Sequence, residues 1–168
     1  MTDWFSLVRE HTPMAFKTAW RILGHLQDTE DVVQEALLEV FRAHHRGEVR
    51  NWGGFVRVAA TCRALDRLRR RRPDETLPEN VPSPGNESPD RMSEAKELAE
   101  WLRKAVAELA PRQAEVFSLS YFGELSNAEI AAALNITNEA VAVALHKARA
   151  SIASKHTQLA DSSGSVGQ

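Results

Sequence analysis

The chain has 168 residues, enough for one ordinary domain or two small ones. Apolar residues make up 43% and charged residues 26%, a mix that excludes a disordered or fibrous protein, and no run approaches the roughly 18–20 apolar residues that cross a bilayer. The net charge of −2 argues neither for nor against nucleic acid, but it conceals two opposed blocks. Residues 63–72 hold six Arg against one Asp, whereas Asp74, Glu75, Glu79, Glu87 and Asp90 stand against Arg91 within residues 73–92. The N-terminal MTDWFSLVREHTP carries Asp3, Arg9 and Glu10 where a signal peptide needs an unbroken apolar stretch, so a cytoplasmic protein is expected.

In chain order, Trp4, Phe5, Leu7, Val8 and His11 begin a short helix, and Thr12-Pro13 reads as the cap and first residue of a second one ending at Gly24. Asp28 is expected to cap a third helix, in which Val32, Val33, Ala36, Leu37, Val40 and Phe41 repeat at amphipathic spacing. After the loop HHRGEVRNWGG, a fourth helix is predicted from about Phe55 to Arg72. Five of the seven prolines (Pro73, Pro78, Pro82, Pro84 and Pro89) then fall within seventeen residues. Proline fixes φ and removes a donor, so residues 73–92 read as a flexible acidic linker. Ser93 can cap the next helix, and Pro111 starts another.

The segment LSNAEIAAALNITNEAVAVALHKARASI, 125–152, carries the most information. Ser126 with Glu129 forms a capping box, Asn135 tolerates a left-handed turn, and Thr137 is a second cap. Two short-linked helices with Ile130, Ala131, Leu134, Ile136, Val141 and Leu145 facing inward make a helix-turn-helix. Such units place the start of the second helix against base edges. Asn138, Glu139, Ala142, Val143, His146, Lys147 and Arg149 are its outward positions. Asn pairs with adenine, Glu accepts from cytosine, and Ala and Val contact thymine methyls. From residue 156 a polar, disordered tail is expected.

The Arg block follows a loop offering Arg46, Arg50, Asn51 and Trp52, read as an exposed aromatic among cations. Arginine forks onto phosphate and indole stacks on an unpaired base, a combination suited to a strand junction. Catalytic signals are thin. Cys62 is the single cysteine and reads as a small buried residue, while His44 and His45 have no acidic or thiol partner at ligand spacing. No catalytic residue, metal or cofactor is expected.

Taken together, these parts resemble a bacterial RNA polymerase sigma factor of the extracytoplasmic-function (ECF) type, over about residues 4–155. DTEDVVQEALLEVFR (28–42) resembles the acidic segment of sigma region 2, and FVRVAATCRALDRLRRRR (55–72) resembles the helix that recognises and melts the minus-10 element. AELAPRQAEVFSLSYFGELSNAEIAAALNIT (107–137) resembles sigma region 4. The resemblance implies an all-α chain of two small helical domains: region 2 over 1–72, the linker 73–92, region 4 over 93–155 and the tail 156–168. It implies docking on core RNA polymerase through Asp28, Asp31, Gln34, Glu35 and Leu38. Asn51, Trp52, Arg57, Arg63, Arg67, Arg69 and Arg70 would meet minus-10 promoter DNA, and Thr137, Asn138, Glu139, Ala142, Val143, His146, Lys147 and Arg149 the minus-35 element. Many relatives carry a basic run where this chain has Ala142, Val143 and Ala144, which leaves base readout to Asn138, Glu139, His146 and methyl contacts. An anti-sigma factor is a further implied partner. The residues alone also admit a stand-alone helix-turn-helix regulator that binds duplex DNA without polymerase, and a helical adaptor that binds other proteins only.

Overall fold

A computed structural model describes residues 3–47, 49–71 and 89–164. Among these, seven helices run in order: α1 (Trp4–Leu23), α2 (Leu26–Arg46), α3 (Trp52–Arg70), α4 (Pro89–Ala107), α5 (Pro111–Tyr121), α6 (Asn127–Leu134) and α7 (Asn138–Gly164). The all-helical expectation holds. Most of the proposed linker lies outside the described residues, but its last four, 89–92, already form the first turn of α4, with Pro89 at the first helical position. Ser93 is therefore inside α4 rather than its cap.

The N-terminal segment is one helix, not two. Pro13 sits inside α1 and removes one backbone bond, a cost of about 3 kcal/mol in a helix interior. Burial on both sides of it offsets that cost: Leu7 lies before it, and Ala15, Ala19, Ile22 and Leu23 after it, all fully buried. Thr12 Oγ1 is buried without a partner, so it caps nothing. Asp3 is the cap instead, accepting the Ser6 N–H at 3.2 Å.

α2 also begins earlier than expected. His25 Nδ1 accepts the Asp28 N–H at 3.2 Å, which makes His25 the cap and leaves the Asp28 carboxylate free to face α3. α3 likewise starts at Trp52 rather than Phe55, because Asn51 Oδ1 accepts the Gly54 N–H at 3.1 Å. At the other end of the chain, α7 continues to Gly164, so the tail expected to be disordered from 156 is helical to 164. Lys155 Nζ meets Glu108 at 2.9 Å, and the His156 ring meets Trp101 at 5.3 Å, tying the extension to α4 and the turn after it.

α1, α2 and α3 pack on one another, and α5, α6 and α7 form a second group with α4 alongside. A single apolar cluster joins the two groups: Ile22, Val40, Val56 and Leu65 from the first are continuous with Val106, Leu109, Phe117 and Phe122 from the second. α3 is the wall between them, packing on α1 and α2 and also on α5. Its Val56, Ala60 and Ala64 are fully buried, and such small side chains let two neighbouring backbones approach. A second cluster (Val116, Leu119, Leu125, Ile130, Val141 and Leu145) fills the helix-turn-helix, and Val58 of α3 packs on that as well.

Gly24, between α1 and α2, holds φ +61°, and a Cβ there would lie 2.5 Å from the Arg103 guanidinium carbon on α4. Gly47 is also left-handed, at φ +72°, but faces open space. Gly47→Ala is expected to lose only the backbone preference, about 1–2 kcal/mol. Gly24→Ala should lose more, because Arg103 must also move. Urea unfolding of the two variants side by side measures the difference.

Candidate nucleic-acid interface

The helix-turn-helix forms as the sequence predicts. Ser126 Oγ accepts the Glu129 N–H and Glu129 Oε1 accepts the Ser126 N–H, each at 3.1 Å. The Ser126 N–H donating to the carboxylate, and then the Ser126 hydroxyl beside it, hold the Glu129 carboxyl below its usual range. Asn135 takes the left-handed turn at φ 54°, and Thr137 Oγ1 accepts the Ala140 N–H at 3.0 Å to start α7. The axes of α6 and α7 differ by 108°, within the range such motifs adopt. Burial of Val141, Ala144, Leu145 and Ala148 fixes the rotation of α7. Thr137, Asn138, Glu139, Ala142, Val143, His146, Lys147 and Arg149 are consequently all exposed, in one strip along the start of the helix.

The acidic row and the arginines, which the sequence suggests as two surfaces, are brought together. Arg67 reaches three carboxylates of α2: Asp28 at 3.5 Å, Asp31 at 3.9 Å and Glu35 at 3.5 Å. Arg63 Nε donates to Glu39 at 3.1 Å, with Glu35 at 3.8 Å. Arg71, whose side chain is only 11% exposed, meets Asp28 at 3.3 Å. Neither Glu39 nor Arg71 stands out in the sequence as a site residue, since each reads as part of an ordinary polar face. Gln34 and Leu38, the latter 56% exposed, remain open beside this lattice.

Other predicted contacts are spoken for within the fold. Arg57 Nε donates to Met14 Sδ at 3.0 Å, and Arg69 donates to the Leu109 carbonyl at 3.2 Å. Arg70 is exposed and makes no ion pair among the described residues. Asn51 is exposed, but its amide oxygen caps α3. Trp52 is half-buried rather than exposed. Placed in the first turn of α3, its ring sits 5.9 Å from His44 and 5.9 Å from Phe55 and packs on the core. Trp4 and Phe41, at 5.0 Å, continue the same aromatic row.

Two further arginines escape sequence reasoning because each occupies an unremarkable helical position. Arg21 of α1 donates to the Phe122 carbonyl at 3.4 Å, pairs with Glu124 at 3.4 Å and lies 5.7 Å from the Tyr121 ring centre. Arg103 of α4 donates to the Arg21 carbonyl at 3.4 Å and to Glu100 at 3.3 Å. Burial pulls its guanidinium below the ordinary arginine value, against the opposing pull of Glu100. Together with Arg69 they fasten the first helical group to the second.

The chain matches the family model for sigma-70 region 2 over residues 7–73 and that for sigma-70 region 4 over residues 99–152. The ECF RNA polymerase sigma factor SigE of Mycolicibacterium smegmatis is 30% identical over 154 residues, which cover 89% of this chain and 60% of SigE. The ECF RNA polymerase sigma factor SigF of Caulobacter vibrioides is 31% identical over 138 residues, 80% of this chain and 74% of SigF. The chain thus spans about three fifths of the one relative and three quarters of the other. Among solved structures, CnrH, determined in complex with the cytosolic domain of CnrY, superposes with a TM-score of 0.64 at 19% identity, over 92% of this chain and 88% of CnrH. The likeness to CnrH is one of fold.

Cys62 lies on α3 and is partly buried rather than buried as the sequence suggests. Burial, and then the carboxylates of Glu115, Asp66 and Glu39, push its thiol up to about 12. Only the thiolate reacts with alkylating agents, and each unit of pKa removes tenfold of it. In the folded chain at pH 8, iodoacetamide is expected to modify Cys62 at least about a hundredfold more slowly than in urea. Comparable rates in the two conditions would show that α3 does not hold this packing in solution.

Proposed function

Because the chain belongs to the ECF group of sigma-70 RNA polymerase sigma factors, we propose that it is a dissociable specificity subunit, which docks on core polymerase and directs initiation at promoters bearing its minus-10 and minus-35 elements. One observation carries the reading: regions 2 and 4 follow in order on one chain, and the second presents an exposed strip at the start of α7. In this reading Asp28, Asp31, Gln34, Glu35 and Leu38 form the polymerase face. Arg63, Arg67 and Arg70 neutralise phosphates of the strands being parted, with Arg57 and Arg69 offering only the N–H groups that Met14 and the Leu109 carbonyl leave over, Asn51 and Trp52 meet the melted minus-10 strand, and the α7 strip reads the minus-35 duplex. The subunit contributes positioning and charge, and bond making belongs to the polymerase. It works in the cytoplasm, where promoters are.

CnrH was solved with the cytosolic domain of CnrY. By analogy, an anti-sigma factor is the proposed regulator here. The stand-alone regulator has less support, since it gives no role to the acidic and apolar side chains exposed along α2.

Run-off transcription with core polymerase, with and without the chain, tests the assignment, and unchanged initiation would refute it. Gln34→Ala combined with Leu38→Ala is expected to weaken core binding without lowering the melting temperature, because both side chains are exposed. Asn138→Ala and Glu139→Ala should each change the preferred minus-35 sequence, at about 1–3 kcal/mol per lost base contact. Selection of promoters from a randomised library reads that change. Replacing Arg70 should instead weaken binding evenly across sequences and reduce the salt slope by about 0.7–0.9.

A further inference from the structure

We propose that the groove between α4, α5 and α7 is a binding site for a small aromatic carboxylate, held through Arg149 and His156. The groove measures about 420 Å³, within the range of small-molecule sites, and opens to solvent. The buried Phe117 ring lies at its base, and the Trp101 indole and Ile152 line its sides. Two aromatic rings in one lining favour a flat aromatic guest, since ring pairs attract beyond the area they bury. Ala153, His156 and Thr157 complete the wall from past residue 152, where the match to region 4 ends. Part of the site is therefore built outside that match.

The rim sets the charge of the guest. Arg149, Ala153 and His156 stand at i, i+4 and i+7, so they share the face of α7 that borders the groove. Arg149 is exposed and makes no ion pair among the described residues. A guanidinium receives a carboxylate through two parallel N–H groups, and His156 offers an N–H in either tautomer. Glu108, the carboxylate that this stretch of α7 reaches, is neutralised by Lys155 at 2.9 Å and leaves the rim positive. The same ion pair and the edge-on contact of His156 with Trp101, at 5.3 Å, fasten the wall before a guest arrives. At 3.6 residues per turn, Arg149 lies roughly a quarter-turn from Glu139, Val143 and His146, at the edge of the exposed strip. One consequence rests on the sigma reading above: an Arg149 engaged by a bound carboxylate is lost to the phosphates of the minus-35 duplex.

Calorimetric titration of the full-length chain with 2-naphthoate, without DNA or polymerase, tests the site. The uncharged 2-naphthamide, of nearly the same shape, is the control. The acid is expected to bind about fivefold more tightly than the amide, the upper range of one exposed ion pair. Arg149→Gln should bring the acid down to the level of the amide. Ala153→Leu, at an exposed position on the groove wall, should weaken both guests. Absence of binding, equal binding of acid and amide, or acid binding that survives both substitutions overturns the site. Saturating 2-naphthoate should also weaken the wild-type chain on a minus-35 duplex about two- to fivefold and leave Arg149→Gln unaffected. An unchanged duplex affinity overturns the competition for Arg149. A wild-type chain that binds no duplex even without naphthoate counts against the sigma reading and leaves the site standing.

Discussion

α3 is buried from two directions, and the rest of the architecture follows from that constraint. Most helices of a small bundle spend one stripe on the core and leave the other to water. Here the stripe is widened by small residues: Ala59, Ala60 and Ala64 are buried in the shared core, while Thr61 and Val58 meet the second group. The approach is close enough that a Cβ on Gly123 would lie 3.1 Å from Thr61 Oγ1. What remains of α3 for solvent is a narrow edge, and the arginines crowd onto it. The geometry that joins the two helical groups therefore also concentrates positive charge along one line.

That line of positive charge is balanced locally by ion pairs. The facing carboxylates of α2 supply local balance, and the balance works at short range, since charges more than about 8–10 Å apart are screened at physiological salt. Among the described residues, the exposed start of α7 has no such ion-pair partner. The two candidate DNA-contacting surfaces thus differ in kind: one is open, and the other is paired with the carboxylates of α2.

Much of this was legible in the amino acids. The helix-turn-helix follows from local signals (Ser126 with Glu129, Asn135, Thr137) that act within four residues of one another, and the structure keeps every one. Helix starts were less readable where a stronger signal lay a few residues away. Pro13 looks like a first position until the burial of Leu7 before it is known, and Asp28 looks like a cap until His25 takes that role. Trp52 reads as exposed because it falls in a loop among cations, yet Asn51 caps a helix that already includes it, and the indole packs on the core. The pairing of Arg67 with Asp28 spans 39 residues, and Arg21 reaches Phe122 across 101; no local pattern encodes contacts of that separation.

The double burial of α3 also sets how freely its sequence can drift. A larger side chain at Ala60 or Ala64 has no empty side to move toward, and overpacking of a filled core costs about 1–3 kcal/mol. Asn138, Glu139, Ala142, Val143 and His146 back onto solvent, and exchanging them disturbs no packing. Duplicated copies of such a gene can rewrite the α7 strip at little structural cost while α3 stays nearly fixed. On the proposed reading, new promoter preferences would then arise first at the α7 strip, with α3 inherited nearly unchanged.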